Sequence, residues 1–309
     1  MEKCYTMWLN ELDNKLRKIK IFFKPEEPLA PYTTIKIGGP CRRMLFPETE
    51  EKLIEILKFL EEREISFFVM GGGSKLLVAD EGFDGVVINL CNLKGIKISN
   101  ENEKKVYLKI SAGTLINEII ALGIKKGFAG IEFLGGIPAT LGGAIKMNAG
   151  AFGNTISQLV KNIRIYKNGE VKIINSQKKL WEYRNFKEKG IILGAELEFL
   201  KIEKEEIKIL LKEYLEKRKK TQPIFEKTFG SVFKNPPSSY AGALIEACNL
   251  KGYQIGLAKI SEKHANFIVN INNAKAKDVL DLIKLAQEKV FLKFEIKLEP
   301  EVNFLGCYL

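Results

Sequence analysis

Two glycine-rich stretches contain the residues whose types and spacing could do chemistry. The first, Gly71 to Ser74, directly follows a short apolar run from Phe67 to Met70. Glycine allows positive φ and close approach to the backbone, so successive N–H groups can surround phosphate oxygens. The stretch is not a P-loop, since no Gly-Lys-Ser/Thr ends it. It is not a dinucleotide-binding fingerprint either, since Leu76 occupies the position of the third glycine. A phosphate cradle and a plain turn both remain open.

The second stretch lies between residues 135 and 153 and contains six glycines within a largely small-residue segment. So little side chain cannot pack a core, which favours a ligand lying against the backbone over a structural bend. Two such stretches would suit a dinucleotide, with its pyrophosphate near one loop and its ring system near the other. The residues predicted to bind this cofactor are Gly71, Gly72, Gly73, Ser74, Gly135, Gly136, Ile137, Pro138, Thr140, Gly142, Gly143, Asn148 and Gly150.

The composition excludes several classes of protein. The 309 residues carry a net charge of +11 and are 46% hydrophobic, so the chain is neither an acidic solvating polymer nor largely disordered. Most lysines stand near glutamates in helical stretches such as 203–220, which is typical of solvated helix faces rather than of a nucleic-acid groove. The positive surplus would still attract anionic small molecules, including nucleotides.

Histidine and cysteine usage narrows the chemistry further. His264 is the single histidine, so multi-histidine metal sites cannot be assembled and no metal is expected. The five scattered cysteines do not suggest a disulfide framework. No apolar run reaches the roughly 18 residues of a membrane span, and residues 1–10 lack a signal-peptide core. We therefore expect a cytoplasmic protein.

The elements that must position these loops alternate at first between helix and strand. A helix is predicted around residues 9–19, a strand at 33–37, a helix capped by Thr49, and a strand at 67–70. Short strands follow at 86–90, 95–99 and 106–111, then a helix at 115–125. Asn168-Gly169 predicts a hairpin between 163–166 and 171–174, and a strand at 191–199 closes this unit.

The last third is predicted to begin with a charged helix at 203–220, whose apolar stripe contains Ile207, Leu210, Leu211, Tyr214 and Leu215. Helices at 241–248 and 276–290 and strands at 266–271 and 301–305 follow. We expect three units: an N-terminal lobe at 1–85, a second lobe at 86–201 and a C-terminal domain at 202–309.

The glycine stretches resemble those of the vanillyl-alcohol-oxidase-like flavoproteins. Three further segments, Gly230-Ser-Val-Phe-Lys-Asn-Pro236, His264-Ala-Asn-Phe-Ile-Val-Asn270 and Leu298-Glu-Pro-Glu-Val302, resemble those of the UDP-N-acetylenolpyruvoylglucosamine reductase family. This resemblance extends from about Thr33 to Gly306. It implies an α+β protein, with a two-lobed FAD-binding fold of the vanillyl-alcohol-oxidase type and a C-terminal α/β substrate domain.

The resemblance also implies a function. The family consists of FAD enzymes of bacterial peptidoglycan synthesis, in which NADPH reduces the flavin and the flavin reduces an enolpyruvyl ether to UDP-N-acetylmuramate. The chain looks like the shorter type, without the tyrosine-bearing lid loop. The resemblance implies a UDP-sugar and NADPH as small-molecule partners and no obligate protein partner. Lys75, Ala139, Lys146 and Leu257 depart from the residues usual in the family, which are Asn, Gly, Ser and Gly respectively.

Three residues match the family's catalytic positions. Reduction of an enolpyruvyl double bond requires a proton donor and a group that stabilises an enolate. By resemblance, Ser231 is the proton donor, Arg184 holds the carboxylate, and Glu301 is the third member, with Glu299 as the alternative. Because a bare carboxylate would repel an enolate, we expect Glu301 to be protonated or bridged by Arg184. Taken alone, these could be a turn serine, a surface ion pair and a strand glutamate.

The same resemblance assigns Tyr183, Lys234 and Asn235 to the substrate's diphosphate or sugar. Two other functions remain open on the residues alone. One is a different flavin oxidoreductase, such as an oxidase that passes electrons to oxygen. The other is a basic nucleotide- or nucleic-acid-binding module without a redox role.

Overall fold

The computed structural model describes residues 2–309, with side chains from Trp8 onward. The α-helices are α1 (Glu2–Lys18), α2 (Glu50–Glu62), α3 (Ile116–Lys126), α4 (Leu141–Lys146), α5 (Lys204–Thr221), α6 (Ala241–Ala247) and α7 (Ala276–Phe294). The strands are β1 (Phe22–Pro28), β2 (Pro40–Phe46), β3 (Phe67–Met70), β4 (Leu76–Val78), β5 (Phe83–Asn89), β6 (Ile96–Glu101), β7 (Lys105–Ser111), β8 (Phe128–Ala129), β9 (Gly150–Ala151), β10 (Asn154–Thr155), β11 (Val160–Lys167), β12 (Glu170–Asn175), β13 (Trp181–Glu182), β14 (Asn185–Phe186), β15 (Ile191–Lys201), β16 (Lys227–Ser231), β17 (Gln254–Ile255), β18 (Ala258–Ile260), β19 (Phe267–Asn270) and β20 (Asn303–Leu305).

The first lobe is a four-stranded sheet of order β1-β2-β5-β3. Strands β2, β5 and β3 are parallel, and β1 adds an antiparallel edge, where Pro25 is tolerated because an edge strand need not donate on both sides. The helix predicted after Thr49 is confirmed as α2, and the Thr49 hydroxyl accepts a hydrogen bond from the Lys52 amide at 3.3 Å. Such a cap satisfies one of the free N–H groups at the helix start.

The strand predicted at 33–37 is wrong. The Thr33 hydroxyl accepts a hydrogen bond from the Ile37 amide at 3.2 Å and donates one to the Ile37 carbonyl at 3.0 Å, which closes a local turn. The alternation of Ile35 and Ile37 that is typical of a strand has another cause: both side chains are buried in the core of the C-terminal domain.

The second lobe is an antiparallel sheet of order β12-β11-β15-β7-β6, with β8 paired to β15. The hairpin predicted at Asn168-Gly169 is confirmed, with φ of 52° and 78° at the two turn residues. One continuous core contains buried residues of both lobes. The predicted boundary after residue 85 falls inside β5, a strand of the first lobe's sheet.

The C-terminal domain has the sheet β16-β19-β18-β17, and α6 and α7 contribute to a second core that also contains Ile35, Ile37 and Leu77 of the first lobe. The end of this domain contacts the first lobe, because β20 pairs in parallel with β4. Helix α5, predicted to belong to this domain, packs on α3 and on residues 132–134 of the second lobe. Its apolar stripe is only partly covered: Ile207 is buried, but Leu210 and Leu215 are exposed. The domain limits stay a prediction.

Within residues 2–309 no helix is both long and apolar enough to cross a bilayer. Among the described side chains, Cys41, Cys91, Cys248 and Cys307 are free thiols, while Cys4 lies outside the described side chains.

Candidate active site

A cleft of about 940 Å³ lies where the two lobes and the C-terminal domain meet. Of the residues predicted to bind a cofactor or to act in catalysis, those lining it are Gly71, Gly72, Gly73, Ser74, Gly136, Ile137, Pro138, Thr140, Gly142, Gly143, Gly150, Arg184, Ser231 and Glu301. Ligand pockets of roughly 300–1,000 Å³ are usual for small molecules and cofactors. Residues distant in sequence are therefore brought to one cavity of suitable size.

The first glycine stretch connects β3 to β4 and packs directly on the second stretch. A Cβ at Gly71 would stand 2.2 Å from the Thr140 hydroxyl oxygen, and one at Gly72 would stand 2.6 Å from the Pro138 carbonyl oxygen. Gly73 has φ of +62°, which side chains rarely adopt. Glycine is required here because the two loops touch, and their backbones together line one wall of the cleft.

Gly135 and Asn148 are the two predicted cofactor residues that do not line the cleft. A Cβ at Gly135 would meet Leu211 of α5 at 2.5 Å, so this glycine faces the helix. The buried Asn148 side chain donates a hydrogen bond to the Glu182 carbonyl at 2.9 Å. Asn148 thus holds the β13–β14 hairpin and is not among the residues that line the cleft.

Arg184 occupies the two-residue turn between β13 and β14 and has φ of +58°. A left-handed conformation is uncommon for a non-glycine residue, and here it belongs to the tight turn of the hairpin. A Cβ at Gly150 would stand 3.2 Å from Arg184 Nη1, so the guanidinium lies close over the second glycine stretch.

Ser231 ends β16 just beyond a register shift opposite β19. The three segments that carried the resemblance lie side by side here. Buried Asn266 accepts the Phe233 amide at 2.9 Å and donates to the Phe233 carbonyl at 2.8 Å, and the Glu301 amide donates to the Val232 carbonyl at 2.8 Å. These bonds fix the backbone that directly follows Ser231, and Gly230, which precedes it, has φ of +78°.

Glu301 is buried, with 5% of its side chain exposed, and lies between two cations. Lys75 Nζ is 2.5 Å from Oε1, and Arg184 Nε is 3.4 Å from Oε2. Arg184 Nε makes no hydrogen bond within the described chain, so its contact with Glu301 is an ion pair without hydrogen-bond geometry. Glu299, the alternative catalytic residue, pairs instead with Lys234, and 69% of its side chain is exposed.

The three residues assigned to the substrate lie outside the cleft lining. Tyr183 is half exposed at the hairpin tip, with the Arg184 guanidinium 5.1 Å above its ring. Lys234 pairs with Glu299, and the Asn235 side chain accepts the Ala241 amide at the start of α6 at 3.0 Å. Contact between these residues and a substrate stays a prediction.

Sequence reasoning gave no site role to four cations that line the cleft, Lys36, Lys75, Lys146 and Arg218. Arg218 of α5 is buried and donates hydrogen bonds to the Gly135 and Phe133 carbonyls at 3.1 Å and 3.0 Å, and burial lowers its pKa. Burial also lowers the pKa of Lys146. Neither pairs with a carboxylate among the described side chains. Sequence reasoning treated Lys75 and Lys146 only as departures from the family, and Lys75 pairs with Glu301. Cations that no carboxylate neutralises, such as Arg218 and Lys146 among the described side chains, suit an anionic diphosphate ligand when they lie beside glycine backbone.

Comparison with known proteins agrees with this geometry. Residues 41–173 match the FAD binding domain family, and residues 222–305 match the family described as UDP-N-acetylenolpyruvoylglucosamine reductase, C-terminal domain. The chain is 38% identical over 302 residues to a UDP-N-acetylenolpyruvoylglucosamine reductase of Caldicellulosiruptor bescii, covering 96% of this chain and 95% of that protein. Identity to the Bacillus subtilis reductase is 39% over 286 residues, covering 91% and 93% of the two chains.

A solved structure extends the agreement to the whole fold. The crystal structure of the UDP-N-acetylenolpyruvylglucosamine reductase from Thermus caldophilus superposes with a TM-score of 0.77 at 33% identity, covering 93% of this chain and 99% of that one. The expected FAD-binding lobes with an added C-terminal domain are thereby confirmed. The chain belongs to the UDP-N-acetylenolpyruvoylglucosamine reductase family.

Proposed function

We propose that this protein reduces UDP-N-acetylglucosamine enolpyruvate to UDP-N-acetylmuramate, a step of peptidoglycan synthesis, with FAD as cofactor and NADPH as reductant. The family membership supports the reaction. The observation that carries the proposal is that Ser231, Arg184 and Glu301, from separate parts of the chain, line the same cleft as both glycine stretches.

The cleft suits FAD. Its glycine backbones could hold the diphosphate, and Arg218 and Lys146 add positive charge without neutralising carboxylates among the described side chains. FAD held there would supply hydride transfer from NADPH to one carbon of the substrate's double bond. The protein then has to bind the substrate's carboxylate and supply a proton.

Arg184 would hold the carboxylate of the enolpyruvyl group. A guanidinium stays charged at every working pH and can form two parallel hydrogen bonds with a carboxylate. As the hydride arrives, negative charge spreads from the second carbon onto that carboxylate, so the same contact would strengthen in the transition state. The turn conformation of Arg184 and the close approach to Gly150 support a fixed orientation.

Ser231 would donate its hydroxyl proton to the carbon that bears the carboxylate. The added hydride and this proton complete the saturated lactyl ether, and the serine oxygen regains a proton from solvent. A serine hydroxyl is a weak acid towards water, but a carbanion-like carbon is basic enough to accept its proton. Glu301 would not repel the developing enolate, because Lys75 and Arg184 lie at its two oxygens.

The test begins with an absorption spectrum of the purified protein, which should contain the bands of oxidised flavin. Mixing with NADPH without oxygen should bleach them, and adding UDP-N-acetylglucosamine enolpyruvate should restore them with formation of one UDP-N-acetylmuramate per flavin. Rapid reoxidation by air with no response to the enolpyruvyl compound would instead identify an oxidase. A colourless protein that binds DNA in a salt-dependent manner would overturn the proposal altogether.

A further inference from the structure

Lys75 connects the first glycine stretch to Ser231 and Glu301. It follows Ser74 directly and precedes β4. Its ammonium donates a hydrogen bond to the Ser231 carbonyl at 2.6 Å and lies 2.5 Å from Glu301 Oε1. One side chain of the first lobe therefore bridges two residues of the C-terminal domain.

The backbone of Lys75 is fixed as well. Its carbonyl accepts hydrogen bonds from the Asn303 amide at 2.9 Å and from the Asn303 side chain at 3.3 Å, at the start of the parallel pairing of β4 with β20. Because main chain and ammonium are both held, the distance between the glycine stretch and Glu301 has little freedom. A substitution of Lys75 would therefore alter the positions of Ser231 and Glu301 together.

The role of Lys75 depends on the charged groups around its ammonium. The groups that face the Lys75 ammonium are Glu301, from the loop before β20, and Arg184, from the β13–β14 hairpin. Burial lowers the pKa of Lys75, the charge of Arg184 lowers it further, and Glu301 raises it. Two cations thus share one buried carboxylate: Lys75 pairs with it at 2.5 Å, and Arg184 pairs with it at the longer distance of 3.4 Å without a hydrogen bond.

We infer that Lys75 is a positioning residue. It neutralises Glu301, so that the Arg184 guanidinium stays free for the substrate's carboxylate, and it holds the Ser231 backbone next to the first glycine stretch. This inference rests on the proposed function. Without the ammonium, Arg184 would be the nearest cation to Glu301 and would turn towards it, because an uncompensated buried carboxylate is costly. The substrate would then compete with Glu301 for Arg184.

The experiment uses the FAD-loaded protein and compares Lys75→Met, Lys75→Arg and the control Lys105→Met. Lys105 forms a 2.8 Å ion pair with Glu198 away from the cleft. Reduction by NADPH and reoxidation by the enolpyruvyl substrate are followed separately by stopped-flow absorbance. We expect Lys75→Met to reduce normally, to reoxidise roughly 10- to 100-fold more slowly, and to need more substrate for half-maximal rate. Lys105→Met should match the wild type.

A double-mutant cycle with Glu301→Gln separates positioning from general damage. If Lys75 acts through Glu301, Lys75→Met should slow the Glu301→Gln protein much less than it slows the wild type. Equal slowing in both backgrounds would overturn the inference. The pH profile gives a second readout: Lys75 loses its charge as pH rises through its lowered pKa, so reoxidation should decline on the alkaline side.

Lys75→Arg keeps its charge at high pH and should move that alkaline decline upward or remove it. If Lys75→Met fails to bind flavin, the pH profile of Lys75→Arg still tests the inference about Lys75. An unchanged alkaline limb in Lys75→Arg would contradict the inference. If wild-type reduced flavin does not respond to the enolpyruvyl substrate at all, the proposed function fails. If it responds and the Lys75 variants behave as wild type, only this inference fails.

Discussion

At the scale of single residues, the site combines groups that are ordinary alone and reactive only together. Ser231 gains its proposed role from the fixed backbone around it, and Glu301 gains its role from two neighbouring cations. We therefore expect changes at these two side chains to affect the reaction with the substrate more than the reduction of the flavin.

Replacing Ser231 by Ala should separate the two half-reactions. NADPH should bleach the flavin at the normal rate, since no proton to carbon is needed in that step. Reoxidation by the enolpyruvyl substrate should slow by roughly 10²- to 10⁴-fold, the usual range for a general acid. Stopped-flow absorbance measures both rates. Ser238→Ala, an exposed serine of the same domain, is the control and should leave both unchanged; equal loss of both rates in Ser231→Ala would count against the role.

Replacing Gly72 by Ala should weaken FAD binding. The new methyl group would stand 2.6 Å from the Pro138 carbonyl oxygen, a backbone atom that cannot turn aside, so the two glycine stretches would be forced apart. We expect the dissociation constant of FAD to rise at least about tenfold, or about 1.4 kcal/mol, measured by fluorescence titration of the apoprotein. Gly95→Ala provides the comparison, since its nearest atom is the Ser111 hydroxyl at 3.1 Å, and it should bind FAD normally.

At the scale of elements, the strands of the second lobe are connected by charges as well as by backbone bonds. Glu198 on β15 pairs with Lys105 on β7 at 2.8 Å and with Lys161 on β11 at 3.0 Å. The hydrogen bond from Lys105, followed by those from Lys161 and Tyr107, lowers the pKa of Glu198 to about 2, against the opposing effect of burial. One carboxylate therefore ties three neighbouring strands.

This lowered pKa predicts how stability changes in acid. Ionised Glu198 stabilises the folded state, and that contribution is complete above the ordinary pKa of a glutamate. It is lost as pH falls through that value towards about 2, because the unfolded chain takes up the proton first. The urea midpoint should decline less steeply between these pH values in Glu198→Gln than in the wild type. Parallel declines for the two proteins would show that Glu198 does not contribute.

At the scale of the whole molecule, the C-terminal domain does not have an independent core. Ile35, Ile37 and Leu77 of the first lobe are buried in it, and β20 completes a parallel pair with β4. Lobes that share buried residues and strand pairing should unfold together. The interface that forms the cleft is therefore also part of what stabilises the protein.

Replacing Ile35 by Ala should accordingly destabilise both halves of the molecule. Ile35 is fully buried, so the free energy of unfolding should fall by roughly 2–5 kcal/mol. Tryptophan fluorescence, from Trp8 and Trp181, and hydrogen exchange of the α7 amides should give the same lowered urea midpoint. The control is Ile173→Ala, at an exposed β12 position, expected within about 0.5 kcal/mol of wild type. Different midpoints for the two probes would contradict the shared core.

The sequence alone determined the features whose chemistry is contained in a few neighbouring residues. The Thr49 cap, the Asn168-Gly169 hairpin and the bare backbone of the glycine stretches follow from local geometry, and the structure has each of them. The strand predicted at 33–37 failed because the alternation of Ile35 and Ile37 records burial against another domain. Periodicity indicates that a side chain is covered, without indicating by which element.

Only the tertiary structure decided which distant groups meet. Lys75 reaches Ser231 across 156 positions of sequence, and Arg218 reaches Gly135 across 83. It also directs Gly135 towards α5 and the Asn148 side chain towards the Glu182 carbonyl of the hairpin, although both residues stand within a predicted cofactor stretch. The physical reason is that a local motif fixes the backbone shape of a segment, whereas the charge balance of a site depends on side chains that the topology of several segments brings within a few ångströms.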